Sequence, residues 1–183
     1  KALYQLAKDY NTLVMVGHIE QFNPAFRKLK QTLAQDHQAT PITAIEVTRE
    51  GMARQNFDTS VDVVYDLMIH DIELVNGLIN DKLISTSAVH ANVTDKLGHV
   101  SVLLRYQSGA IVKLTASRIS HKRSRIMSIH TPDANYEVDF IGKKVTKHLC
   151  DQHGYTTQSL EVQDNEPLKA ELTHFLEAVK TGI

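Results

Sequence analysis

On a helix, the run Asp62-Val-Val-Tyr-Asp66-Leu-Met-Ile-His70-Asp71-Ile-Glu73 divides into two chemically different faces. Asp62, Asp66, His70 and Glu73 follow one another at spacings of four, four and three, which sets them in one ionisable stripe. Val63, Val64, Leu67, Met68, Leu74, Val75 and Leu78 fall on the other side. An imidazole, with an unperturbed pKa of about 6.5, can take up and return a proton near neutrality, and a carboxylate one turn away can orient it. The same pair on an ordinary solvated helix is a contact of roughly 0.2–0.5 kcal/mol. Context has to decide between the two.

The elements that would position this stripe can be read from pattern. Thr59 with Asp62 resembles a capping box, and Asp58 or Ser60 could serve instead, so the helix is predicted to begin near 59 or 60 and to end around Asn80. Asp62, close to that start, is placed mainly to meet the positive end of the helix dipole. Asn23 followed by Pro24 opens a helix over 24–35. Pro41 precedes a strand, Ile42 to Arg49, with Ile45 and Val47 opposite Ala44 and Glu46. From Ile84 onward a period of two runs through Ser85–Val93, Val100–Tyr106, Ala110–Ser117, Arg125–Thr131, Tyr136–Phe140, Lys143–His148 and Thr156–Val162. Ser108-Gly109 and Ile141-Gly142 read as hairpin turns, and Asp133-Ala-Asn135 as a looser one. A last helix starts at Asn165-Glu-Pro167, carries Leu168, Leu172, Phe175, Leu176 and Val179 on one face, and closes at Gly182. The predicted class is α+β: an antiparallel sheet with helices packed on one face. Ahead of it, Lys1 to Asp9 reads as the end of a helix and Thr12 to Gly17 as a short apolar strand buried on both sides, so residues 1–17 are expected to be the tail of a larger α/β domain and 18–183 a second domain.

Bulk properties narrow the function. With 183 residues and 42% hydrophobic content the chain can build one sizeable core. Its 20 basic and 21 acidic side chains give a formal charge of -1, which argues against a nucleic-acid or anionic-membrane binder. No apolar run approaches the ~20 residues that cross a bilayer. The single cysteine, Cys150, excludes an internal disulfide framework and fits a reducing compartment, with cytoplasm as the expected location. His148, Cys150 and His153 offer too few ligands for a structural zinc site, and no metal is expected.

Three segments in this order, Leu13-Val-Met-Val-Gly17 leading into His18-Ile-Glu20-Gln21-Phe22-Asn23-Pro24-Ala25, then Asp66-Leu-Met-Ile-His70-Asp71-Ile-Glu73, then Glu166-Pro-Leu-Lys-Ala-Glu171-Leu-Thr-His-Phe175, resemble the C-terminal domain of the Gfo/Idh/MocA family of NAD(P)-dependent sugar oxidoreductases. The resemblance implies that His70 is the proton carrier and Asp66 its catalytic partner on the substrate-binding helix, with the carboxylate raising the histidine pKa. It implies that NAD or NADP is held mainly by a Rossmann domain whose Gly-rich turn, together with a Glu-Lys-Pro motif, would precede Lys1. The partners it implies are a sugar, with motifs most similar to members acting on nucleotide-linked amino sugars, and further copies of the chain in a homodimer or homotetramer through the exposed sheet face. The sequence departs from the family pattern at Gln21, where Arg is frequent, at Glu73, and in lacking glycines before Asp66.

Further residues are candidates for substrate. Arg118-Ile-Ser-His121-Lys122-Arg123-Ser-Arg125 is the one basic cluster: a solvated loop, or, through Arg123, a fork for a diphosphate. Arg49 and Arg54 flank the stripe and suit the same task. Glu20 and Asn23 sit where the chain would enter from the preceding domain and could face a cleft, although capping alone explains Asn23. The expected reaction is reversible oxidation of a secondary hydroxyl. The alternatives are a non-catalytic binding or oligomerisation module of the same fold, and a dehydrogenase of free polyols such as inositol.

Overall fold

In the computed structural model, which describes residues 2–36, 41–52, 61–93, 96–151 and 154–182, the alternating segments become strands. They are β1 (Ala44–Met52), β2 (Leu83–Val93), β3 (Lys96–Tyr106), β4 (Ile111–Ser120), β5 (Ser124–His130), β6 (Ala134–Asp139), β7 (Lys144–Asp151) and β8 (Gly154–Leu160). All eight join one sheet in the order β2-β3-β4-β1-β5-β6-β7-β8. Each pair is antiparallel except β1 with β4. That exception follows from geometry: β4 and β5 run in opposite directions and β1 lies between them, so it must be parallel to one of the two.

Helices cover one face. α1 (Ala2–Asp9) precedes a short 3-10 turn (Ile19–Phe22), which leads into α2 (Pro24–Asp36). Asn23 Oδ1 accepts the Ala25 N–H at 3.0 Å, and Pro24 fills the first helical position, as the sequence indicates. α2 lies over β6 and β7, where Phe26 stacks on Phe140 and the Tyr136 hydroxyl donates to Asp36. The second helical unit, a π turn at Val64–Met68 continuing as α3 (Ile69–Asn76), lies over β1 and β4. Its inner residues Val63, Met68, Leu74 and Val75 meet Ile45, Val47, Val112 and Leu114 in the core. α4 (Pro167–Thr181) ends at Gly182, whose φ of 74° is the left-handed turn that glycine tolerates, and packs on the 3-10 turn.

Two expectations change. Val63 and Met68 are five apart, which on a regular α-helix separates them by about 140°; the π turn, in which the Ile69 N–H bonds back to the Val64 carbonyl, adds the residue that lets both face the core. The proposed cap at Asp58, Thr59 or Ser60 lies outside the described residues. The strand expected over 12–17 does not form: among the described residues no strand pairs with this segment, and Val14 and Val16 are 55% and 67% exposed. No helix among the described residues is long and apolar enough to cross a membrane.

Candidate functional site

β1 alternates Ile45, Val47 and Arg49 onto the covered face, so Arg49 is carried inward in phase with two core residues and is 2% exposed. The cost of burying a guanidinium is offset by two carboxylates brought from other elements. Arg49 Nε donates to Asp71 at 2.9 and 3.0 Å, and its Nη1 donates to Glu20 Oε1 at 2.8 Å. On the next strand Arg125 stands directly opposite Arg49, an unfavourable like-charge register that the same Glu20 oxygen relieves by accepting from Arg125 at 3.0 Å. Asn23 completes the cluster with bonds to Glu20 and to the Phe140 carbonyl. Burial alone would raise the Glu20 carboxyl, but Arg49 and Arg125 outweigh it and hold it below its ordinary range.

His70 stands next to this cluster in the chain and at the surface in space. It is half-buried, with Nδ1 turned inward where it meets no hydrogen-bond partner among the described residues. Burial lowers its pKa, Arg49 lowers it further, and Glu20 and Asp71 oppose the change without reversing it. The expectation that Asp66 raises this pKa is therefore corrected: desolvation and a buried cation prevail. Asp66 is exposed, and its carboxylate is drawn to Arg118 Nη2 on β4 at 2.8 Å. Arg118 also donates to the Val61 carbonyl at 2.6 Å, and Asp62 accepts the Leu97 N–H at 2.9 Å, so the start of the helical unit is tied to β3 and β4. That bond gives Asp62 a partner beyond the helix dipole. Glu73 lies half-buried near His18, with Nε2 to Oε2 at 3.8 Å, and Gln21 donates to the Glu73 carbonyl at 3.2 Å. His18, Gln21 and Glu73 border an open cleft of about 510 Å³, lined also by Phe22, Arg27 and His174; His70 and Asp66 are not among its lining residues.

The two-faced stripe is present, with Asp62, Asp66, His70 and Glu73 all partly or fully exposed while Val63, Met68, Leu74 and Val75 are buried. Arg49, Glu20 and Asn23, expected at the substrate, are buried, with Arg49 bonded to Glu20 and Asp71, and Asn23 bonded to Glu20 and the Phe140 carbonyl. Arg123 is exposed at the turn between β4 and β5, whereas Arg118 pairs with Asp66 and Arg125 with Glu20, so the basic cluster divides three ways. Arg54, His153 and the Cys150 side chain lie outside the described residues. Sequence reasoning missed Asp71 and Arg118 as the anchors. A signal existed for the first: Asp71 falls among Met68, Leu74 and Val75 on the apolar side, a position that requires a buried cation.

A dinucleotide site needs a Gly-rich turn opening a helix, and no such turn occurs in this chain. What is present is a half-buried imidazole whose inward nitrogen meets no hydrogen-bond partner among the described residues.

The profile described as the GFO/IDH/MocA C-terminal domain matches residues 28–143. UDP-N-acetylglucosamine 3-dehydrogenase of Acidithiobacillus ferrooxidans is 27% identical over 187 residues, covering 97% of this chain and 57% of that protein. Its solved structure superposes with a TM-score of 0.86 at 26% identity, over 100% of this chain and 57% of that one. An inositol 2-dehydrogenase/D-chiro-inositol 3-dehydrogenase of Shouchella clausii is 26% identical over 106 residues, 55% of this chain and 30% of that protein. Levoglucosan dehydrogenase in complex with NADH and L-sorbose shares the fold, with a TM-score of 0.79 at 14% identity over 99% of this chain and 60% of that one. The chain thus spans a little over half the length of the dehydrogenase it matches end to end. The sheet, the covering helices and the matched profile together place the chain in the Gfo/Idh/MocA family, whose C-terminal domain it carries.

Proposed function

We propose that this chain is the substrate-side domain of an NAD(P)-dependent dehydrogenase that reversibly oxidises a secondary hydroxyl of a sugar, and that the sugar is nucleotide-linked. The observation that carries the reading is His70: a half-buried imidazole with a depressed pKa on an exposed helical edge rests as a free base at neutral pH. A bound nicotinamide supplies the hydride acceptor. This chain's part is the proton: as the hydroxyl carbon gives up hydride, the hydroxyl proton passes to the His70 ring and the C–O bond becomes a carbonyl. Asp66, fixed by Arg118, is positioned to accept a neighbouring sugar hydroxyl. Arg123 is the exposed cation proposed for a diphosphate.

Residues 1–17 are read as the tail of the dinucleotide-binding domain. The exposed apolar side chains of α1 and the 13–16 segment, continuous with Val179 on α4, support this. Further copies of the chain are proposed to meet across the uncovered sheet face, where Leu103 and Ile111 stand 56% and 52% exposed. A cytoplasmic location fits the single cysteine.

The test is turnover by the full-length protein, followed as reduced nicotinamide, with a panel of UDP-sugars and free polyols. A preference for UDP-sugars with competition by UDP alone supports the reading; a preference for free polyols with no effect of UDP favours the inositol-type alternative. The non-catalytic reading is supported by the departures from the family pattern at Glu73 and in the residues before Asp66. Absence of turnover with every substrate would favour it.

A further inference from the structure

A general base is ordinarily oriented by a hydrogen bond to its second ring nitrogen. His70 has none among the described residues: Nδ1 is buried and unpartnered. Asp71 is 1% exposed and gripped side-on by Arg49, which joins the helical turn carrying His70 to the centre of the sheet. Asp71 belongs to a charged cluster in which Arg49 from β1 pairs with Asp71 from α3 and with Glu20 from the 3-10 turn, and Glu20 also pairs with Arg125 from β5; all four act electrostatically on the His70 ring.

We propose that Arg49 is a positioning residue for His70: through Asp71 it fixes the turn of helix that presents the ring, and it holds Asp71, Glu20 and Arg125 in one charged cluster beside that turn. The importance of this for catalysis rests on the reading of His70 as proton acceptor; the placement of the charges does not. It also gives a reason for a charged cluster inside a domain that apolar packing would stabilise as well.

The sign of the response separates this from a purely structural role. The titration midpoint of the His70 ring is read by NMR in the 183-residue chain, with His70→Gln identifying its signal among the ten histidines. Asp71→Asn and Glu20→Gln each remove an anion from the cluster, and the midpoint should fall by about one pH unit. Arg49→Gln removes the cation and should raise it, while Arg49→Lys, which keeps the charge, should restore it toward the unsubstituted chain. If Arg49→Gln does not fold by circular dichroism, Arg125→Gln on the half-buried partner should raise the midpoint in its place. Midpoints that stay fixed, or that move the same way in the anion and cation variants, overturn the proposal. Because the measurement reads the ring and not turnover, an inactive full-length protein would remove the functional reading without touching this one.

Discussion

Arg49 and Asp71, 22 residues apart, meet side-on in the interior, with Nε donating to both carboxylate oxygens at 2.9 and 3.0 Å and Nη2 2.7 Å from Oδ1. This contact fastens the helix of the candidate site to the central strand of the sheet. Both side chains are 2% exposed, so water screens the pair little. Removing one member leaves the other charged and buried.

Asp71→Ala should therefore destabilise the domain by about 3–5 kcal/mol, toward the lower end because Glu20 still faces Arg49. Urea unfolding should show a lower midpoint at unchanged slope. A loss under about 1 kcal/mol would mean that the pair does not anchor the helix.

His70→Ala in the full-length protein should lower kcat by about 10²–10⁴-fold. The side chain is only half-buried and makes no hydrogen bond that the fold relies on among the described residues, so the unfolding midpoint should move little. Unaltered turnover would remove His70 from the mechanism.

Asp66 and Arg118 form an unequal pair, 53% and 4% exposed. Arg118→Met should cost about 1–3 kcal/mol, because it also breaks the bond to the Val61 carbonyl that holds the start of the helical unit. Asp66→Ala, at the exposed end, should cost less than about 1 kcal/mol and act mainly on KM. Equal losses of stability from the two substitutions would contradict this asymmetry.

The His70 pKa lies below its ordinary value of 6.5, so below about pH 6.5 the unfolded chain binds the proton more readily than the folded one. Stability should fall as pH drops through 6.5 toward the folded value. His70→Gln should lose less stability than the unsubstituted chain between pH ~7 and ~5.5. Parallel curves for the two proteins would show that the ring titrates as it does in the unfolded state.

The apolar stripe of α4 provides a test of the domain reading. Leu172 and Leu176 are 52% and 56% exposed, so Leu172→Glu or Leu176→Glu should change the stability of the 183-residue chain by no more than about 0.5 kcal/mol. In the full-length protein the same substitution should lower the thermal midpoint. Equal behaviour of both proteins would show that nothing upstream covers this helix.

What the sequence by itself determined is local and periodic. Period two in the strands, Asn23-Pro24 at a helix start and Glu166-Pro167 with Gly182 at the two ends of α4 are rules of neighbouring residues, and each produced the element it indicates. The division of Asp62, Asp66, His70 and Glu73 from the apolar side was likewise legible, because helix geometry fixes which residues share a face. The tertiary structure alone decided the partners. Arg49 reads in sequence as a residue available to substrate, yet the phase of β1 turns it inward; Asp66 reads as the neighbour of His70, yet its carboxylate pairs with Arg118 on β4. The strand expected at 12–17 failed for the same reason, since a ladder requires a second chain segment beside it. Periodicity is written in successive residues, whereas an ion pair between positions 20, 49, 71 and 125 exists only once the sheet has brought four distant segments within about 3 Å.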